Sequence, residues 1–228
     1  MKIETLELAG LTTRIVGDGP LTIVLLHGFG APGDDLVALA QFFGVPARYV
    51  FPAAPIELGG LYGDSRAWWH LDLMKLEQEL RTGALRDRRG EVPEGLAEVR
   101  AQLNGLLGEL KARYAVSDDK LVLGGFSQGA MLALDVALHR DTAPAGVLLM
   151  SGTLIAESEW TPRTSKLAGV PIMQSHGRMD SLLPFAIAEV LRDKLTEAGA
   201  KVDFVPFNGA HEIPQVVLQS ASKLLQSL

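Results

Sequence analysis

Cysteine is absent from all 228 residues, which excludes disulfides, thiolate metal sites and a thiol nucleophile together. Long apolar runs are missing too: hydrophobic residues make up 47% of the chain, yet none line up over the ~18 positions a membrane span needs. The opening MKIETLELAG alternates charged and apolar residues and contains no continuous apolar signal core, so a cytoplasmic protein is expected. Positive charge is in short supply. There are 21 Lys and Arg against 27 Asp and Glu, a net charge of −6, and the basic residues are scattered. Nucleic-acid binding calls for a basic face, so no nucleic-acid partner is expected. Internal repeats and interdomain linkers are lacking as well, and the length suits one domain, 1–228, with a substantial core.

What is present centres on residues 121–130, LVLGGFSQGA. Leu121, Val122 and Leu123 are the apolar run of a strand buried on both faces, and residues 130–138 are an unbroken helix-forming segment. Between them, Gly125-Phe126-Ser127-Gln128-Gly129 matches G-x-S-x-G where the motif has meaning, at a sharp turn from strand to helix. Such a turn strains the backbone of its Ser and needs small residues two before and two after. It presents the Ser oxygen clear of the sheet, at the positive end of the helix. The competing reading is a plain strand-to-helix turn with Ser127 as helix cap.

The rest of the chain alternates in the same way. Residues 3–8 and 11–16 read as an opening hairpin, and 21–26 (LTIVLL) as a buried strand. Asp34 or Asp35 would cap a helix whose inner side is Leu36, Leu39, Ala40 and Phe43. Residues 47–51 form a further strand. Residues 53–93 are irregular around a short helix near 71–80, and the charge run 86–89 reads as a solvated loop. Leu96, Val99, Leu103, Leu106, Leu110 and Tyr114 share one helical face. Strands follow at 146–150, 171–174 and 202–205, with helical stripes at Ile187, Val190, Leu191 and Leu195, then at Val217, Ala221, Leu224 and Leu228. Buried strands alternating with amphipathic helices predict an α/β fold, a mostly parallel central sheet covered on both faces.

In such a sheet, function gathers in the loops leaving the carboxyl ends of the strands. Ser127, Asp180 and His211 each follow a strand, in the chain order Ser, Asp, His that goes with a G-x-S-x-G elbow. A hydroxyl is a poor nucleophile at neutral pH, so His211 would take its proton and later return it to the leaving group. Asp180 would fix the imidazole tautomer and stabilise the imidazolium. The backbone N–H groups of Phe29, in His27-Gly28-Phe29-Gly30, and of Gln128 are the candidate donors to an oxyanion. Asp203 and Glu212 are rival carboxylates, and His27, His70, His139 and His176 rival bases. Of these, His27 and His176 precede glycines in tight loops and read as structural hydrogen-bonders.

Residues 26–30 (LHGFG), 124–130 (GGFSQGA), His176-Gly177 with Asp180 and Pro184, and Gly209-Ala210-His211 resemble the carboxylesterase/phospholipase family that includes acyl-protein thioesterases. The resemblance runs from about residue 21 to the C-terminus. It implies an α/β-hydrolase without a large cap domain, Ser127, Asp180 and His211 as triad, Phe29 and Gln128 as oxyanion donors, and neither metal nor organic cofactor. Family members carry one Trp followed by an aromatic and an Asp where this chain has Trp68-Trp69-His70-Leu71-Asp72. Trp68 and Trp69 are therefore candidates for the pocket wall, as are Met179 and Leu183 beside Asp180, and 56–93 is a candidate lid. The expected partner is a small ester or lipid-like molecule, and the expected assembly a monomer or homodimer. A non-catalytic binding module on a hydrolase scaffold is the reading from another class.

Overall fold

The computed structural model describes residues 2–59, 63–82 and 87–228. The chain opens on a hairpin, β1 (Ile3–Leu8) and β2 (Leu11–Val16), turned at Ala9 and Gly10, both at positive φ. The next strand, β3 (Leu21–Leu26), is buried at every position. The expected helix after it contracts to one turn, α1 (Leu39–Phe42), and neither Asp34 nor Asp35 caps it. Instead, residues 31–38 run in successive i→i+3 turns: Asp35 N–H to Pro32 O, Val37 N–H to Asp34 O and Leu39 N–H to Leu36 O. The apolar residues still go inside, with Leu36, Val37 and Phe43 buried. Gly33 fixes this path, because a Cβ there would lie 2.3 Å from the Ala53 Cβ.

After β4 (Ala47–Pro52) comes a two-stranded ribbon invisible to periodicity, β5 (Ile56–Glu57) against β6 (Arg66–Ala67), then α2 (Leu73–Thr82). The long helix α3 (Leu96–Tyr114) buries the stripe expected of it, from Leu96 to Leu110. The strand–elbow–helix unit is β7 (Leu121–Phe126) and α4 (Gln128–His139). Then follow β8 (Gly146–Met150), a short α5 (Glu157–Trp160) continued by a 3₁₀ turn at Thr161–Leu167, and β9 (Pro171–Gly177). The chain ends with α6 (Phe185–Glu197), β10 (Lys201–Phe207) and α7 (Gln215–Gln226). The strands β9 and β10 each run further than their apolar runs suggested, because parallel pairing carries them to Gly177 and Phe207.

Eight strands form one sheet in the order β1-β2-β4-β3-β7-β8-β9-β10, antiparallel only where β2 meets β1 and β4. The side-chain alternation of each strand feeds two cores. Val24, Leu26, Leu121, Leu123, Val147 and Leu149 face α3, α4 and α6, while Ile23, Leu25, Val122, Leu148 and Met150 face α1 and α7. Chain order reverses beside β3, which has β4 on one side and β7 on the other. Such a switch point leaves a crevice at the carboxyl ends of the strands. Among the described residues no helix is long and apolar enough to cross a membrane.

Candidate active site

Ser127 sits in that crevice on the elbow between β7 and α4, at φ 54° and ψ −119°. A non-glycine residue at positive φ is strained, and its surroundings have to hold it there. They do so by packing and hydrogen bonding. A Cβ at Gly125 would lie 2.4 Å from Leu26 O, and one at Gly129 2.0 Å from the same oxygen, so the elbow presses onto the end of β3. Ser127 N–H donates to Met150 O at 2.9 Å, and Ser127 O accepts from Ala130 and Met131 as the first turn of α4. The Ser127 side chain caps nothing, which removes the helix-cap reading.

Asp180 and His211 come together from the ends of β9 and β10. The two loops are joined by backbone bonds, Arg178 N–H to Phe207 O (2.9 Å) and Met179 N–H to Gly209 O (3.0 Å). Their close approach requires Gly177, where a Cβ would stand 2.1 Å from Ala210 O. Asp180 Oδ2 then lies 2.7 Å from His211 Nδ1. A carboxylate only accepts, so Nδ1 carries the proton and Nε2 is left as the basic nitrogen. Asp180 Oδ1 accepts from the N–H groups of Leu182 (2.8 Å) and Leu183 (2.9 Å). Burial alone would raise the Asp180 pKa, but the hydrogen bond and charge of His211 and the Leu183 N–H outweigh it, and the carboxyl is held below the ordinary value. The His211 ring also packs against Phe126, centroids 4.7 Å apart.

The other two loop histidines are braces. His27 Nε2 accepts from Ala54 N–H (3.0 Å), so Nδ1–H donates to Gly28 O (2.8 Å), shaping the turn that carries Phe29. His176 Nε2–H donates to Leu183 O (2.8 Å) and stands 3.4 Å from Asp180 Oδ2, closing the Asp180 turn. Desolvation lowers the pKa of both rings and keeps them neutral. Of the rival carboxylates, Asp203 accepts from Ser220 Oγ, and Glu212 accepts from Ala210 N–H within its own loop.

A cavity of about 560 Å³ opens over these groups, lined by Ser127, His211, Phe29, Gln128, Trp69 and Leu183 among others. Phe29 and Gln128 line this space, and their N–H groups have no acceptor among the described residues. Two residues expected at the pocket wall are elsewhere. Trp68 is turned inward, 1% exposed, with its indole N–H on His27 O (2.9 Å), so it supports the Phe29 loop instead. Met179 is 65% exposed at the tip of its loop and does not line the cavity. The Gln128 side chain pins the backbone of both Trp residues, its Oε1 accepting from Trp68 N–H and its Nε2 donating to Trp69 O, both at 2.9 Å. The Trp68 indole is tied to His27 O, while Trp69 lines the cavity.

Sequence reading missed several lining residues. Arg88, in the stretch that reads as a solvated charge run, lines the cavity and pairs with Glu91 at 2.8 Å. Met131, Thr153 and Ile155 also line it, and no motif marks them. Of the expected lid, residues 60–62 and 83–86 lie outside the described residues.

Comparison with known proteins gives the family and the fold. Residues 19–228 match the phospholipase/carboxylesterase family. The acyl-protein thioesterase 1 of Candida albicans is 28% identical over 90% of this chain and 91% of its own length, and that of Aspergillus fumigatus 27% identical over 91% and 87%. Among solved structures, esterase PE8 superposes with a TM-score of 0.79 at 25% identity, covering 100% of this chain and 99% of its own. A carboxylesterase from Mesorhizobium loti has the same fold, with a TM-score of 0.77 at 19% identity and full coverage of both chains. The chain therefore belongs to the phospholipase/carboxylesterase family of α/β-hydrolases, enzymes that hydrolyse esters.

Proposed function

We propose that the protein is a serine carboxylic-ester hydrolase in which Ser127 attacks the ester carbonyl and carries the acyl group. The observation behind this reading is the Asp180–His211 hydrogen bond, at the rim of a cavity that also contains the strained Ser127. His211 Nε2 takes the Ser127 proton and delivers it to the leaving alcohol. Water activated by the same nitrogen then frees the acid. Asp180 stays ionised and stabilises the imidazolium, and the N–H groups of Phe29 and Gln128 receive the oxyanion. Small to medium acyl esters suit a cavity of this volume, walled by Trp69, Met131, Ile155 and Leu183.

The name shared by the curated relatives, acyl-protein thioesterase 1, favours a second reading, an acyl-protein thioesterase or lysophospholipase, which would need a groove for a long acyl chain. Measuring kcat/KM for p-nitrophenyl esters from acetate to palmitate separates the two. A maximum at short chains supports the first reading, and one at long chains the second. Ser127→Ala should lower kcat by about 10⁴-fold or more while leaving the fold intact. It should also abolish the fluorophosphonate adduct seen by intact mass. Wild-type turnover in that variant would overturn the proposal.

A further inference from the structure

We propose that Thr153 is a specificity determinant, recognising an oxygen-bearing substituent (a hydroxyl, ether or keto oxygen) on the ester substrate. The inference rests on the serine-hydrolase reading and adds a substrate class to it. Thr153 lines the cavity and is 3% exposed, and its hydroxyl oxygen is buried without a hydrogen-bond partner. The other deep polar groups of the cavity are committed. Ser127 and His211 serve the chemistry, and the Gln128 side chain is spent on Trp68 and Trp69. The ionic groups at the cavity, such as Asp35, Arg88 and Glu91, are more exposed and stand against its apolar wall of Met131, Ile155 and Leu183. One buried hydroxyl in an apolar wall is how small-molecule sites fix the orientation of a ligand.

The loop carrying Thr153 is anchored at two points. Ser151, at φ 49°, donates its N–H to Ser175 O (2.9 Å), and a Cβ on Gly152 would touch Ala130 Cβ at 3.0 Å, so the loop is pressed to the start of α4. In the conformation seen, the hydroxyl is sealed from the cavity. Recognition requires a χ1 rotation of about 120°, one staggered well to the next, that turns the hydroxyl toward the cavity. A substrate oxygen there relieves the unpaired hydroxyl, whereas an all-carbon substrate leaves it unpaired. This difference is the source of discrimination.

The test compares p-nitrophenyl alkanoates with oxa-analogues in which one CH₂ is an ether oxygen. The oxygen is placed at successive positions of the acyl chain and, for butanoate esters, of the alcohol. Thr153→Val keeps the side-chain shape and removes the hydroxyl, and Thr153→Ser keeps the hydroxyl. At the matching position, Thr153→Val should lower kcat/KM for the oxa-ester by about fivefold or more relative to its all-carbon partner, as loss of one hydrogen bond predicts. Thr153→Ser should preserve the preference, and intrinsic ester reactivity cancels because each ester is compared between enzymes. If Thr153→Val alters both series equally, or neither, at every position, the proposal is wrong. That result leaves the parent reading untouched, which stands or falls on Ser127→Ala.

Discussion

Gln128 shows how much one side chain can organise. The residue lines the cavity, and its buried amide joins main-chain groups of two consecutive residues, Trp68 N–H and Trp69 O. Gln128→Ala keeps the N–H and strands both groups in the interior. It should cost about 1–3 kcal/mol for each group left unpaired, read by urea unfolding. It should also raise KM more than it lowers kcat, because Trp69 loses its support while the proposed nucleophile does not. Unchanged stability would mean that the two peptide groups find water instead. The residues of the proposed triad could be named from the sequence because the chemistry permits few residue types: a hydroxyl, an imidazole and a carboxylate at strand ends. Trp68 and Trp69 were not separable, because the carbonyl that holds the Trp68 indole belongs to His27, 41 positions away.

At the scale of elements, the helices are tied together beneath the site by a buried charge. Asp135 of α4 is fully buried and accepts from Arg100 Nε of α3 (2.6 Å) and from the Trp160 indole of α5 (2.9 Å). Removing Asp135 leaves the part-buried Arg100 with Glu159 alone, at 3.6 Å, and the buried Trp160 N–H with no acceptor. Asp135→Ala should therefore destabilise the fold by about 3–5 kcal/mol, measured by denaturant unfolding. A loss under about 1 kcal/mol would place Arg100 in solvent in the variant and refute the tie. Periodicity identified α3, α6 and α7 because each presents a regular buried stripe. It failed at residues 34–43, where the same apolar spacing is reached by turns packed against Ala53. It also missed β5 and β6, which are two residues long and have no period to detect.

For the whole molecule, the two buried imidazoles set an acid limit on stability. His27 and His176 have folded pKa values lowered by desolvation, so the unfolded chain binds more protons below the ordinary histidine value. Their contribution is fully present above pH ~6.5 and is lost as pH falls toward the folded pKa values, with a slope of up to about 1.4 kcal/mol per pH unit for each ring. Asp180 acts in the same direction at lower pH. Its folded pKa is depressed, so its contribution is present above the unfolded value and is lost as pH falls through the folded one. Thermal unfolding should therefore show Tm falling between pH 7 and 5, and His176→Gln should flatten that slope. A wild-type Tm independent of pH in this window would show that these rings do not stay neutral in the fold.

The linear pattern of residues was enough for the fold class, for the order of the eight central-sheet strands along the chain and for naming Ser127, Asp180 and His211 as the proposed triad. Burial on both faces, strained elbows and nucleophile chemistry each restrict a position to a few residue types that can be read one after another. Only the folded chain decided the cavity wall. Trp69 faces in while Trp68 supports the Phe29 loop, Arg88 turns from a charge run into the cavity, Met179 stays in solvent, and Thr153 is left with an unpaired hydroxyl. These outcomes depend on contacts between segments far apart in sequence, such as the approach of residues 209–210 to Gly177 or of Ala130 to Gly152. No local pattern encodes them, because they exist only once the sheet has brought the loop ends together.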